Sequence, residues 1–176
     1  QEKVPVLIDG EITVSDSWNI AKYLENEYPE TSSLKLDNGE ILFFKFWAET
    51  ILQPELLQLL VLDIHDNLTS EDKPYFRESR EKLFGKTLEE VGENRQVRLP
   101  QLHKMLTPVR STLSKQNFLS GETPGFSDYI LFGAFQWARC ISPFSLLNND
   151  DIIYLWRDKL LNMHRGLALS AVGYSV

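Results

Sequence analysis

An acidic residue followed by a serine, Asp16-Ser17, stands directly before a run with helical periodicity. The first turn of a helix presents N–H groups that lack intrahelical partners, and the helix dipole adds partial positive charge there. A serine hydroxyl beside those free donors makes a ready anion site. A second feature lies upstream at Val4-Pro5, with Lys3 before it. An edge strand begins here, where a backbone N–H and C=O can remain unpaired for a ligand.

The elements that must position these groups are short. Val4 to Ile8 is apolar and β-branched, Asp9-Gly10 is a hairpin turn signal, and Glu11 to Val14 reads as the return strand. Glycine tolerates the positive φ such turns need. Ser15 or Asp16 then caps a helix whose apolar positions Trp18, Ile20, Ala21 and Leu24 follow a helical period. After Tyr28-Pro29 the composition shifts. Residues 30–39 hold Thr, Ser, Asp, Asn and Gly and read as a linker, so the domains are expected at 1–29 and 40–176.

Strand alternation is absent after the linker, and helices are expected throughout. One runs from Glu40 to about His65, with Pro54 bending or breaking it. Others run from Glu71 to about Phe84, from Gly92 to Leu113, from Phe126 to Cys140, and from Asp150 to Met163 with Asn148-Asn149 as caps. Pro100 predicts a kink or restart near Arg98 to Pro100, because proline removes a backbone bond and crowds the preceding turn. The fold class is therefore α/β plus all-α: a β-hairpin and helix, then a helical domain.

Composition narrows the function classes. At 176 residues, with 43% hydrophobic and 11% aromatic residues, the chain carries enough apolar material for a sizeable core. A net charge of -7 argues against nucleic acid or an anionic membrane as partner. No apolar run reaches spanning length. A single cysteine, Cys140, excludes an internal disulfide, fits a reducing cytoplasmic compartment, and reads as a buried structural thiol. The histidines are scattered, and Asp63-x-His65-Asp66 reads as a solvated helix end, so no metal is expected. Lys73, Arg77, Arg80, Lys82 and Lys86 interleave with Glu71, Glu78 and Glu81 as a mixed-charge exposed face. Phe43, Phe44, Phe46 and Trp47 crowd one helix, and most of them must be core.

Several of these motifs together resemble the glutathione transferases. The family carries Val-Pro before the third strand of a thioredoxin-like domain, and an acidic-Ser pair opening the next helix, followed by Ile and Tyr-Leu. Here these are Val4-Pro5, Asp16-Ser17, Ile20 and Tyr23-Leu24. The second match is the stretch from Phe118 to Arg139, in which Asp128 occupies the acidic position of the family's capping box and Gly125 stands at the cap. The runs Asp16 to Glu25 and Gly133 to Phe144 are similar to a narrower β-etherase-like branch that includes fungal enzymes handling lignin-type aromatics.

The resemblance implies a cis Val4-Pro5 bond and a glutathione site formed by Lys3, Val4, Pro5, Asp16 and Ser17. The valine backbone would pair with the cysteinyl part, and the acidic-Ser pair would hold the γ-glutamyl end. It further implies an aromatic acceptor pocket lined by Phe43 and Trp47, and a homodimer. The residue that activates the thiol belongs to an opening β-α-β unit in this family, so no catalytic residue is expected in the chain and further chain is expected before it. Three functions remain open: a transferase using glutathione as co-substrate in conjugation or ether cleavage, a non-catalytic carrier of aromatic metabolites, and, disfavoured by the mixed-charge surface, a scaffold using a transferase-like domain for assembly.

Overall fold

The computed structural model describes residues 4–37 and 39–175. Lys3, one of the expected glutathione residues, lies outside them.

Two strands, β1 (Val6–Asp9) and β2 (Ile12–Ser15), form an antiparallel hairpin in the register Val6↔Ser15 to Asp9↔Ile12. Gly10 sits at φ 58 as the first residue of the two-residue turn. The strands begin and end slightly later than expected, at Val6 and Ser15 instead of Val4 and Val14. Helix α1 (Ser17–Glu27) follows at once, with Asp16 as its cap. Asp9 ties the hairpin tip to this helix by accepting hydrogen bonds from the hydroxyls of Tyr23 and Tyr28. Those two bonds hold the Asp9 carboxyl below its usual range, and burial together with the Asp9 contact pushes Tyr23 up to about 12.

The linker is fastened to the helical part. Leu34 donates its N–H to Glu25 at 2.6 Å and accepts from the Phe126 N–H at 2.9 Å. Lys35 donates to the Ser120 and Thr123 carbonyls at 2.9 and 2.8 Å. Trp18 packs on Phe126 with ring centroids 5.6 Å apart. These contacts fix α1, and the residues at its start, against the helical domain.

That domain opens with α2 (Glu40–Trp47), which passes through a π-helical turn (Ala48–Leu52) into α3 (Gln53–Asn67). Pro54 stands in the first turn of α3, immediately after the π-turn. A wider turn relieves the clash between a proline ring and the carbonyl one turn back, so the expected break takes this form. Helix α4 (Asp72–Phe84) ends at Gly85 with φ 66, and the short α5 (Leu88–Gly92) is capped by Thr87 and Glu90 in a reciprocal box.

The single helix expected from Gly92 to Leu113 is instead α6 (Arg95–Met105) and α7 (Thr107–Leu113). The interruptions fall at Asn94, which is left-handed, and at Leu106, while α6 runs unbroken through Pro100. The restart expected at Arg98 to Pro100 does not occur. Pro100 and Gln96, whose carbonyl loses its partner, are both exposed, so water can take that bond. Pro108 sits harmlessly in the first turn of α7.

Helix α8 (Phe126–Ile141) is the central element, and α9 (Ile152–Gly166) closes the domain. The cap of α9 is Asp151, which accepts from Ile153 N–H; Asn148-Asn149 are not the cap, as had been expected. The core joins α3, α6, α7, α8 and α9 through Leu52, Leu56, Leu59, Leu102, Leu131, Phe135 and Trp156. Cys140 is only half-buried. Asp63 pairs with Arg95 and accepts from Ser142 at 2.6 Å, so it is a tether between helices instead of a solvated end.

The glycine at the cap of α8 has a steric reason. A Cβ on Gly125 would lie 2.6 Å from Ser120 Oγ and 3.1 Å from the Leu34 carbonyl oxygen. Gly125→Ala is expected to destabilise the protein by about 1–3 kcal/mol through this overpacking, read as a lower midpoint in thermal unfolding. An unchanged midpoint would mean that the linker and the loop before α8 are not held this closely.

Candidate functional site

Of the residues expected to bind glutathione, Val4, Pro5, Asp16 and Ser17 come together at the start of α1. The Val4-Pro5 bond is cis. The Pro5 carbonyl accepts the Asp16 N–H at 3.3 Å, which brings the upstream pair against the acidic-Ser pair. Val4 is 89% exposed, lies beyond the ladder that starts at Val6, and makes no backbone bond among the described residues.

Asp16 adopts φ 76 and ψ 129, a conformation that a non-glycine residue rarely takes and that costs about 1–3 kcal/mol. Its Oδ1 accepts from the Trp18 and Asn19 N–H groups at 3.0 and 3.1 Å. Two of the free helix donors expected there are thus already satisfied by Asp16 itself. Its Oδ2 and the Ser17 hydroxyl have no partner among the described residues, and both residues are exposed. The site therefore offers a carboxylate oxygen and a hydroxyl, suited to a cationic amine with an adjoining carboxylate.

Ser17 borders a groove of about 870 Å³. The walls come from the π-turn region, from α4 and from α8, and include Lys45, Arg80, Phe126, Tyr129 and Trp137. Lys45 and Glu49 pair at 2.6 Å across one turn. Burial holds the Tyr129 hydroxyl above the ordinary phenol range, with a smaller contribution from Asp128.

Phe43 and Trp47 do line a cavity together, but a different one. It encloses about 400 Å³ between α2, α7 and the loop before α8, with Phe44, Pro108 and Val109. Ser17 is not among its lining residues. Phe43 and Trp47, four residues apart, share one helix face; the opposite side, with Lys45 and Glu49, is the one turned to the Ser17 groove. That groove was missed because it is assembled from four separated segments. Among the described residues no cluster of His, Cys, Asp and Glu has the arrangement to hold a metal ion, and no helix is long and apolar enough to cross a membrane.

This architecture is that of a thioredoxin-type hairpin and helix fastened to a transferase-type helical domain, and comparison with known proteins agrees. The glutathione S-transferase C-terminal domain family matches residues 41–152. The chain belongs to the glutathione S-transferase family. The solved structure of glutathione transferase GSTFuA2 from Phanerochaete chrysosporium is 31% identical, with a TM-score of 0.66. The match covers 93% of this chain and 66% of that one. CsGST83044 of Ceriporiopsis subvermispora, solved in complex with glutathione, is 27% identical with a TM-score of 0.65, over 93% of this chain and 67% of that one. This chain thus spans about two thirds of the length of these relatives.

Proposed function

We propose that the protein binds glutathione at Val4, Pro5, Asp16 and Ser17, with Lys3 beside them, and presents its thiolate to an aromatic electrophile held in the groove that Ser17 borders. The observation that carries this reading is the pairing of two unengaged polar groups, Asp16 Oδ2 and Ser17 Oγ, with an adjoining apolar groove. The Asp16 carboxylate would accept the γ-glutamyl ammonium, and the Ser17 hydroxyl would donate to the neighbouring carboxylate. The Val4 backbone would pair with the cysteinyl unit and aim its sulfur toward the groove. The thiolate is the nucleophile, and the reaction is conjugation or ether cleavage. No described residue is assigned to thiol activation. Similarity to fungal glutathione transferases supports the aromatic-handling branch. A homodimer and a cytoplasmic location belong to the same reading.

A carrier function is the second reading, and the Phe43–Trp47 cavity favours it. That cavity is apolar and aromatic, yet it shares no lining residue with the groove beside Ser17, so a ligand could rest there away from the thiol.

Calorimetry separates these roles. Ser17→Ala is expected to weaken glutathione binding by about 1–2 kcal/mol. Asp16→Asn should weaken it by a similar amount, because asparagine retains the helix cap and removes only the charge. Unchanged affinity in both variants would place the γ-glutamyl site elsewhere.

A further inference from the structure

Arg80 is set apart from the other charged residues of α4. Arg77, one turn away, is bound by Glu81 and Glu89 at 2.9 and 2.8 Å, whereas Arg80 has no carboxylate within ion-pairing distance among the described residues. Its guanidinium lies 5.0 Å from the Phe76 ring centroid, and one terminal nitrogen donates to Ser79 Oγ at 3.0 Å. Its Nε is buried and unpartnered among the described residues. Stacking on a buried ring holds the group in place without neutralising it. Arg80 lines the groove that Ser17 borders, and the other two charges in that lining, Lys45 and Glu49, cancel each other. The groove therefore carries an uncompensated positive charge, on a chain of net charge -7. Tyr129 adds a hydroxyl with no partner among the described residues.

We propose that this groove selects anionic aromatic ligands, with the Arg80 guanidinium receiving a carboxylate while Phe126, Tyr129 and Trp137 hold the ring. A planar guanidinium fixed by stacking matches a carboxylate in a bidentate manner, and a ring carrying that carboxylate fills the apolar remainder. The guanidinium has terminal donors beyond the one given to Ser79 and no charge partner among the described residues, and a ligand carboxylate supplies that partner. The proposal rests on the reading of this groove as the acceptor site and names the class of acceptor.

The test uses two probes of nearly equal shape, 2-naphthoate and 2-acetylnaphthalene, titrated by fluorescence and calorimetry with and without glutathione. The naphthoate is expected to bind about tenfold or more tightly than the ketone, the range a charge-assisted bond supplies. Arg80→Gln should abolish this preference, bringing the affinities of the two probes together while glutathione binding is unchanged, and Arg80→Lys should restore part of it.

Gly133→Leu locates the probe. Gly133 lines the groove, and a Cβ there would meet nothing within 4 Å, so the larger side chain fills the groove without disturbing the core. It should exclude both probes, whereas Phe43→Ala should not. A charge preference that survives in Arg80→Gln, or probe binding that persists in Gly133→Leu, would overturn the proposal. A parent protein that binds glutathione but shows no preference for naphthoate over the ketone defeats only this inference. Absence of glutathione binding, or its indifference to Ser17→Ala, defeats the reading beneath it.

Discussion

Replacing Asp128 with alanine is expected to remove about 3–5 kcal/mol of stability, the cost of stranding several buried partners at once. Asp128 is fully buried and accepts four hydrogen bonds. The Leu119, Ser120 and Gly125 N–H groups donate at 2.7, 3.0 and 3.1 Å, and the Trp156 indole donates at 2.9 Å. One carboxylate thus joins the loop before α8, the start of α8 and the middle of α9. A chain of this size loses roughly 2–4 °C of melting temperature per kcal/mol, so the fall should exceed about 6 °C in scanning calorimetry. Trp156→Phe removes one donor and leaves three, and should cost markedly less. If Asp128→Ala and Trp156→Phe shift the midpoint equally, the backbone bonds to Asp128 contribute nothing and this account fails.

The second large effect belongs to Asp151. It caps α9 through the Ile153 N–H and receives Arg110 in a fork, Nε at 3.1 and 3.0 Å and Nη2 at 2.6 Å, while Arg110 also donates to the His103 carbonyl at 2.7 Å. Burial alone would raise the carboxyl; the Arg110 hydrogen bonds and the capping bond outweigh it, and Asp151 titrates below its ordinary value. A folded value below the unfolded one stabilises the protein above the unfolded value of about 3.9, and the gain is lost as pH falls through the folded value. Asp151→Ala should therefore lower stability by about 3 kcal/mol near neutral pH, combining a lost cap with a stranded arginine. The gap between this variant and the parent should narrow as melts are repeated from pH 6 down to pH 3. Asp151→Asn keeps the cap and should fall between the two. A gap independent of pH would show that the charge is irrelevant.

Much of the site could be read from short-range signals. The Asp9-Gly10 turn and the α1 cap, narrowed from Ser15 or Asp16 to Asp16, depend on residues that are close in sequence, whereas the cis bond at Val4-Pro5 was implied by the family resemblance. Asp128 was likewise found through the resemblance, as the acidic position of the family's capping box. What escaped depended on distant neighbours. Gly125 looked like a poor cap; it is required by the close approach of Ser120 and, beyond it, of the Leu34 carbonyl, which no local pattern encodes. The restart expected at Pro100 is absent because the rule concerns an orphaned carbonyl, and here that carbonyl is exposed to water. Arg80 resembled every other charge in an alternating run, and only the ion pairs formed by its neighbours reveal that it is left over.

The π-turn between α2 and α3 sets the angular phase of everything before it. Each residue of an α-helix advances the chain by about 100°, so the one residue accommodated at Ala48–Leu52 rotates α2 by about that amount relative to an uninterrupted helix. That rotation decides which side of α2 presents Phe43 and Trp47 to one cavity and which presents Lys45 and Glu49 to the other. Deleting a single residue there would leave the composition of both walls nearly untouched and turn each toward the wrong space. Pocket identity in this protein is in that sense a matter of counting, held by one surplus residue beside a proline.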